Sequence, residues 1–95
     1  MDKSRLVFTG IVENIARVAQ VQKQGQILRY VLDCPSEFLG DASLGGSIAV
    51  NGVCQTIVAL ESNQVHFEAI PETLKRSNLD KLEPEGVVHV ERALK

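Results

Sequence analysis

The segment from Gly46 to Val58 constrains the fold most, because it places Asn51-Gly52 between two apolar runs that have the pattern of strands. Asn-Gly is a strong signal for a type I′ turn in a β-hairpin. The same dipeptide can instead mark a tight kink between two short strands, since the apolar pattern continues on both sides. Either geometry brings Ser47 and Thr56 near each other. Such a strand can bury its aliphatic residues and still present hydroxyls, a thiol and backbone amides to a flat ring.

Other segments along the chain are also rich in strand-forming residues. The spacing of Ile11, Ile15, Val18 and Val21 is compatible with a helix, but the β-branched residues and the flanking glycines favour a long, bent first strand. The polar stretch 22–25 is expected to form a hairpin turn into a second strand over 26–34. A further hairpin is predicted with its tip at 61–64, between strands over 56–60 and 65–70. The last strand is predicted over 87–92.

Two short helical turns are predicted among these strands. Pro35 or Ser36 can begin a single turn that ends by Leu39, and residues 72–76 contain good helix formers after Pro71. Six strands without a long amphipathic helix predict an all-β domain, most simply a closed barrel that removes exposed strand edges. A length of 95 residues suits one hydrophobic core. We therefore expect a single domain from about Leu6 to Leu94.

The composition argues against nucleic-acid and membrane partners. The net charge is −2, no basic cluster is denser than Lys75-Arg76, and only 4% of the residues are aromatic, with no Trp. A phosphate backbone would require a basic surface, and single-stranded nucleic acid would also require stacking platforms. The polar start of the chain is unlike a signal peptide, and no run has the length needed to cross a bilayer. A soluble cytoplasmic protein is the expectation.

The titratable residues do not form a recognisable catalytic or metal-binding pattern. Cys34 and Cys54 are too few and too far apart to make a zinc site, even with His66 and His89 as further ligands. Cys34 is predicted to be a small buried residue, and both histidines are predicted to face solvent from their strands. The sequence has no Gly-x-Ser-x-Gly, phosphate-loop or dinucleotide fingerprint.

Three motif regions together resemble the N-terminal barrel of the riboflavin synthase family. They are Phe8-Thr9-Gly10-Ile11-Val12-Glu13, the run 46–58, and the pair Ile70-Pro71-Glu72-Thr73-Leu74 and Val90-Glu91-Arg92-Ala93-Leu94. Each motif is only moderately specific, but their order and spacing match from Phe8 to Leu94. The resemblance implies a six-stranded antiparallel Greek-key closed barrel with two short helices, which makes residues 1–95 one domain with 1–6 as an N-terminal extension.

The resemblance also implies a ligand, 6,7-dimethyl-8-ribityllumazine or riboflavin, with no separate cofactor or metal. In the full-length family enzyme, two lumazines react to give riboflavin and a ribitylaminopyrimidine. The residues that match the family's ligand-binding positions are Phe8, Gly10, Ile11, Val12, Ser47, Cys54, Gln55, Thr56, Glu68, Ala69, Ile70, Pro71, Glu72 and Thr73.

These positions would have different roles in such a site. Gly10-Ile11-Val12 would approach the ring through backbone, with Phe8 beside it, and Ser47, Cys54 and Thr56 would contact its polar edge. The stretch 68–70 would border the ring, while Pro71-Glu72-Thr73 would hold the ribityl hydroxyls. For Thr73 the alternative role is that of a helix cap.

Two features depart from the family pattern. Gln55 stands where Leu is usual, so its amide is expected to face water or a partner barrel, or to bond to something in the pocket. The family also carries two barrels in one chain, and this sequence covers the first. Three hypotheses follow: an N-terminal half that pairs with a second barrel as a homodimer, a stand-alone flavin or lumazine storage or sensing module without turnover, and an active symmetric homo-oligomer.

Overall fold

The computed structural model describes residues 11–40 and 42–93. Within these ranges the chain forms seven strands, two short α-helices and one 3₁₀ turn. In chain order they are β1 (Ile11–Gln24), β2 (Ile27–Asp33), α1 (Ser36–Leu39), β3 (Ser47–Val50), β4 (Val53–Thr56), β5 (Ala59–Glu61), β6 (Gln64–Ala69), α2 (Pro71–Lys75), the 3₁₀ turn (Leu79–Lys81) and β7 (Val87–Ala93).

The strands form one antiparallel sheet in the order β4-β3-β7-β1-β2-β6-β5. The two strands at opposite ends of this order, β4 and β5, are consecutive along the chain and are separated only by Ile57 and Val58. The sheet must therefore curl back on itself, which brings β4 near β6. This confirms the predicted all-β antiparallel fold with two short helices. Among residues 42–93 no ladder joins β4 to β6, so the described sheet is a curled half-barrel rather than a barrel closed by hydrogen bonds.

The described residues contain seven strands rather than the predicted six, because the strand predicted over 56–60 changes its pairing partner. Ile57 N–H donates to the Gly46 carbonyl beside β3, at 2.8 Å, whereas Val58 N–H donates to the His66 carbonyl of β6, at 2.9 Å. One continuous stretch thus turns a corner of the barrel and is divided into β4 and β5. The corner separates the end of β4 from the start of the β5–β6 ladder.

The first hairpin also differs from the prediction in its turn. The strand β1 continues through Gln22 and Lys23 to Gln24, which pairs with Ile27, so the turn is formed by Gly25-Gln26 rather than by 22–25. The polar side chains of 22–24 are compatible with a strand because they lie on the exposed end of the hairpin. The predicted bend in β1 is seen as a register shift between Val18 and Gln20.

Alternating residues of the strands fill the interior of the barrel. The largest side chains with almost no exposed surface include Tyr30, Phe38 and Phe67, and the rings of Tyr30 and Phe67 stack with centroids 5.2 Å apart. Arg92 is also buried, and its guanidinium donates to the carbonyl oxygens of Phe38 and Leu39 at the end of α1. A buried cation is tolerated here because it satisfies backbone acceptors.

Cys34 is buried as predicted, and its environment makes the fold sensitive to alkaline pH. Burial, with a further contribution from the charge of Asp33, raises the pKa of the Cys34 thiol from 9.0 to about 11. The unfolded chain therefore loses this proton at lower pH than the folded chain does. The contribution of the protonated Cys34 thiol to the free energy of unfolding is fully present below pH 9 and is lost as the pH rises to about 11.

We expect the free energy of unfolding, measured by urea titration under reducing conditions, to fall between pH 8.5 and pH 11. Cys34→Ala should reduce this slope, because it removes the buried thiol. Cys54→Ala is the matched control, since Cys54 is exposed, and it should keep the wild-type slope. Equal slopes for Cys34→Ala and wild type would contradict the assignment. Tyr30, whose pKa is also raised by burial, leaves part of the slope in both variants.

Candidate functional site

The Asn51-Gly52 segment forms a tight hairpin turn between β3 and β4. Both residues have positive φ, 48° and 84°, as a type I′ turn requires, which decides between the turn and the kink. Asn51 also joins this turn to β7, because its N–H donates to the His89 carbonyl and its Oδ1 accepts from the His89 N–H. Ser47 lies opposite Thr56 in the register, so their predicted proximity is confirmed.

The side chains of β4 alternate between the two faces of the sheet. Cys54 and Thr56 are exposed on the outer face, as is Ser47 on β3, whereas Gln55 points into the barrel and is 6% exposed. The thiol and the two hydroxyls therefore share one accessible surface. All four of these residues were predicted from the sequence to belong to the ligand site, but the side chain of Gln55 faces the core.

One edge of β4 carries backbone groups without a strand partner. A two-residue hairpin starts with a hydrogen-bonded pair, here Val50 and Val53, and hydrogen-bonded pairs then alternate along the ladder. The backbone N–H and C=O of Gln55 therefore bond to β3. The backbone bond from Ile57 to Gly46, two residues later, fits this alternation. The N–H and C=O groups of Cys54 and Thr56 consequently face the opposite edge, where the described part of the chain places no strand in the ladder.

The strand β6 has a similar open edge beyond its pairing with β5. Cys34 N–H donates to the Asn63 carbonyl, which fixes the alternation of hydrogen-bonded pairs between β2 and β6. The backbone N–H and C=O groups of residues 65, 67 and 69 therefore face β2. The groups of Glu68 and Ile70 face the other side. The β5–β6 register stops at His66, and among residues 42–93 no strand pairs with the edge beyond it. The Ile70 carbonyl accepts from Leu74 N–H at the start of α2. At Ile70, only the backbone N–H is therefore counted among the open groups of this edge.

These two open edges border a gap between β4 and β6, the strand gap. Its backbone groups belong to Cys54, Thr56, Glu68 and Ile70, all residues that sequence reasoning assigned to the site. Backbone donors and acceptors that lack a strand partner can pair with water or with a ligand. The gap can thus accept a planar molecule whose edge carries its own donors and acceptors, in the way that a strand would be accepted.

A cavity of about 260 Å³ lies where the strand gap meets β5. It is lined by Arg29, Tyr30, Val58, Ala59, His66, Phe67 and Glu68. Only Glu68 of these was predicted to belong to the site. Arg29 could have been found from the sequence by pairing the two predicted strands, since it lies directly opposite Glu68 in the β2–β6 register.

One ion pair and one histidine–carboxylate contact lie near this cavity. Arg29 Nε lies 2.6 Å from Glu68 Oε2, and His66 Nε2 lies 3.5 Å from Glu61 Oε1. His66 is half-buried, and its Nε2 is buried with no hydrogen-bond partner among residues 11–40 and 42–93, so the prediction of a solvent-facing histidine holds for His89 but not for this atom. Because both side chains are partly exposed, the Arg29–Glu68 pair contributes little to stability. The Arg29 guanidinium offsets the negative charge of Glu68 beside the cavity.

The helix α2 begins directly after the strand gap. Ile70 is its N-cap residue in extended conformation, Pro71 occupies the first turn, and no side chain caps the helix. Thr73 is therefore not an N-cap, and its carbonyl accepts a 2.8 Å hydrogen bond from the Ser77 hydroxyl. The helix keeps Glu72 exposed and Thr73 half-buried beside the end of β6.

The N-terminal part of the predicted site is only partly described. Phe8 and Gly10 lie outside the described residues. Ile11 and Val12 begin β1, where they pair with Ala93 and Arg92 of β7. In the sheet order, β1 is separated from β4 by two strands and from β6 by one. The ladder itself therefore does not bring Ile11 and Val12 to the strand gap.

The described residues contain no cluster of three or more His, Cys, Asp or Glu side chains that could hold a metal ion. No helix in the same part of the chain is long and apolar enough to cross a membrane.

Comparison with known proteins gives consistent matches across the chain. A family model described as "Lumazine binding domain" matches residues 9–93. Riboflavin synthase from Actinobacillus pleuropneumoniae is 41% identical over 88 residues, covering 93% of this chain and 40% of the relative. Riboflavin synthase from Bacillus subtilis is 38% identical over the same number of residues, with the same coverage. The chain thus spans about two fifths of the length of these curated relatives.

Solved structures show the same fold. The crystal structure of LumP complexed with riboflavin matches with a TM-score of 0.79 and 23% identity, covering 86% of this chain and 44% of that one. LumP complexed with 6,7-dimethyl-8-(1'-D-ribityl) lumazine also matches with a TM-score of 0.79, at 20% identity over 86% of this chain and 46% of that one.

Proposed function

This chain belongs to the lumazine-binding domain family, and from that premise we propose that it binds 6,7-dimethyl-8-ribityllumazine or riboflavin in the strand gap. The observation that carries the proposal is the pair of open strand edges at Cys54, Thr56, Glu68 and Ile70. The Cys54 and Ile70 carbonyls are paired with Gln55 and Leu74; the other backbone groups at these positions have no strand partner among the described residues and are open to a ligand or to water.

The chemistry of the two ligands suits this gap. The pyrimidinedione half of a lumazine or of a flavin presents two carbonyl oxygens on either side of one imide N–H. Such an edge needs backbone donors and at least one acceptor, and a strand residue such as Thr56 offers an N–H and a C=O to the same side. The exposed hydroxyls of Ser47 and Thr56 add adaptable partners. The ribityl chain would extend toward Glu72 and Thr73 on α2.

Catalysis requires more than one such gap. In the dismutation, two lumazines are held face to face while a four-carbon unit moves from one to the other, so the main contribution of the protein is to position them. We propose that this chain supplies one half of that arrangement and that a second barrel supplies the other. Storage or sensing of a flavin without turnover is the second candidate, favoured by the exposure of Cys54 and Thr56 on one barrel.

A titration with both ligands tests the proposed function. The fluorescence of riboflavin and of 6,7-dimethyl-8-ribityllumazine is followed as the purified chain is added, and riboflavin absorbance is then recorded in the lumazine sample over hours. Saturable binding is the expected result. Growth of the riboflavin absorbance would favour catalysis by paired barrels, and its absence would favour the binding module. Failure of both ligands to bind would refute the proposal.

An apolar region on the outer face of β1 and β7, strands that lie away from the strand gap in the sheet order, is a candidate contact with a second copy of the chain. This contact does not itself bring two strand gaps face to face. Ile15 and Val87 are 63% and 69% exposed, and they border a cavity of about 350 Å³ with Asn14, Val88 and His89. Large apolar side chains that lie together on a sheet face mark interaction surfaces more often than isolated ones do. We propose that a second copy of the chain covers this region.

Ile15→Glu is expected to weaken self-association at least tenfold, because it would bury a carboxylate in the apolar contact. Sedimentation equilibrium of the wild type and the variant measures the change. Leu44→Glu is the matched control, since Leu44 is 65% exposed but lies in a loop, and it should leave the association constant unchanged. A wild-type chain that stays monomeric, or equal effects of the two substitutions, would contradict this contact.

A further inference from the structure

Gln55 makes two hydrogen bonds that connect the barrel core to the strand gap. Its Oε1 accepts from the Tyr30 hydroxyl at 2.9 Å, and its Nε2 donates to the carbonyl oxygen of Cys54 at 3.1 Å. Gln55 and Tyr30 are both buried, 6% and 1% exposed. Of the alternatives predicted from the sequence, the amide faces neither water nor a partner barrel but forms hydrogen bonds within the chain. The Gln55 amide thus links the Tyr30 hydroxyl in the core to the backbone of β4 by hydrogen bonds.

The chemistry of the two partners fixes the orientation of the Gln55 amide. A backbone carbonyl can only accept, so the NH₂ group must face Cys54. The amide oxygen then faces Tyr30, which must act as the donor. The stacking of Tyr30 on Phe67 restricts the Tyr30 ring, and Tyr30 in turn holds the amide. This makes the contact to Cys54 a fixed feature of the site.

The contact changes what the edge of β4 can offer to a ligand. Cys54 and Thr56 both direct an N–H and a C=O toward the strand gap, but the Cys54 carbonyl is already engaged by the Gln55 amide. At Cys54 the ligand therefore meets an open donor and an acceptor that has one of its two lone pairs engaged by Gln55. At Thr56 it meets both a donor and an acceptor.

We propose that Gln55 is a specificity-determining residue that makes this site favour an oxo group over an amino group on the ring edge beside Cys54. The inference rests on the proposed function, because it assumes that a heterocycle occupies the strand gap. A ring oxygen accepts from the Cys54 N–H. An amino group in that place leaves the Cys54 N–H without an acceptor, and its own N–H meets a Cys54 carbonyl that has one of its two lone pairs already taken by Gln55. A polar group that is left unpaired on binding weakens the complex.

The discrimination can be measured with two small rings that differ in one group. The probes are 6,7-dimethyllumazine, which has two oxo groups, and 6,7-dimethylpterin, which has an amino group in place of one of them. Each is titrated as a competitor against bound riboflavin, and the ratio of the two inhibition constants is the readout. For the wild type we expect the lumazine to bind about tenfold more tightly, the effect of one unpaired polar group.

Two variants test whether Gln55 is the cause. Gln55→Leu releases the Cys54 carbonyl and should reduce the ratio to less than about threefold, mainly through tighter binding of the pterin. Tyr30→Phe removes the hydroxyl that orients the Gln55 amide but keeps the amide itself, so it should reduce the ratio less than Gln55→Leu does. This comparison separates release of the carbonyl from a general loosening of the core.

The outcomes also distinguish this inference from the proposed function. A wild type that binds riboflavin but does not discriminate between the two rings would overturn the role of Gln55 alone, even if Gln55→Leu did not fold. A folded Gln55→Leu variant with the wild-type ratio would do the same. A wild type that binds neither riboflavin nor either ring would instead refute the strand gap as a ligand site.

Discussion

Thr56→Pro is expected to weaken the binding of riboflavin about ten- to a hundredfold while the barrel remains folded. Proline lacks the backbone N–H, and the N–H of Thr56 faces the strand gap rather than β3. Its loss therefore removes a ligand donor and no bond of the β3–β4 ladder, and proline is tolerated at such an outward position of an edge strand. The magnitude corresponds to one or two lost hydrogen bonds in a desolvated site.

Thr56→Val is the matched control for this substitution. It removes the hydroxyl and keeps the N–H, so it should cost less affinity than proline does. Fluorescence titration gives the two dissociation constants, and circular dichroism checks that both variants remain folded. Equal losses for the two variants would assign the contact to the hydroxyl. Wild-type affinity in a folded Thr56→Pro variant would remove Thr56 from the site.

Phe67→Ala is expected to lower the free energy of unfolding by about 3 to 5 kcal/mol, the largest stability effect predicted for this chain. Phe67 is 1% exposed, and its ring stacks on Tyr30 inside the barrel. Truncation removes apolar contacts and leaves a cavity directly behind the open edge of β6. For a domain of this size such a loss is a large part of the total stability.

Urea unfolding followed by circular dichroism measures this effect. Leu44→Ala serves as the control, because Leu44 lies in a loop and is 65% exposed; we expect a change within about 0.5 kcal/mol. A Phe67→Ala variant as stable as the control would mean that the interior of the barrel is not packed as described.

The sequence was sufficient to predict the fold class and most of the local elements, because they depend on alternation and on turn residues. Asn51-Gly52 gave the β3–β4 hairpin, and the paired positions of Ser47 and Thr56 followed from it. Cys34 was recognisable as a buried small residue. Each of these features depends on neighbours close in the chain, and periodicity reports on such neighbours.

Features that depend on distant partners could not be obtained in this way. The division at Ile57 and Val58 arises because two different strands, β3 and β6, supply the hydrogen-bond partners. The inward direction of Gln55 is stabilised by Tyr30, 25 residues away in the chain. The alternation of inward and outward residues along β4 would by itself have indicated that the Gln55 amide is buried and needs a hydrogen-bond partner. It could not identify that partner or show that the Cys54 carbonyl would be engaged.

The open edges could be recognised only once the ladder registers were known. The resemblance to a family indicated Cys54, Thr56, Glu68 and Ile70 as site residues, but it gave no physical reason for them. The registers of β3–β4 and β2–β6 supply one, because these four residues direct backbone groups into the same gap. The proposed binding role of each side chain remains a prediction.

The most direct test of the strand gap is a ¹H–¹⁵N correlation spectrum of the labelled chain, recorded during a titration with riboflavin. We predict that the amide signals of Cys54, Thr56, Glu68 and Ile70 shift most and saturate together, while those of Val53, Gln55 and Phe67, whose N–H groups face paired strands, shift less. Saturable shifts confined to another part of the chain, with these four amides unchanged, would contradict the strand gap as the binding site.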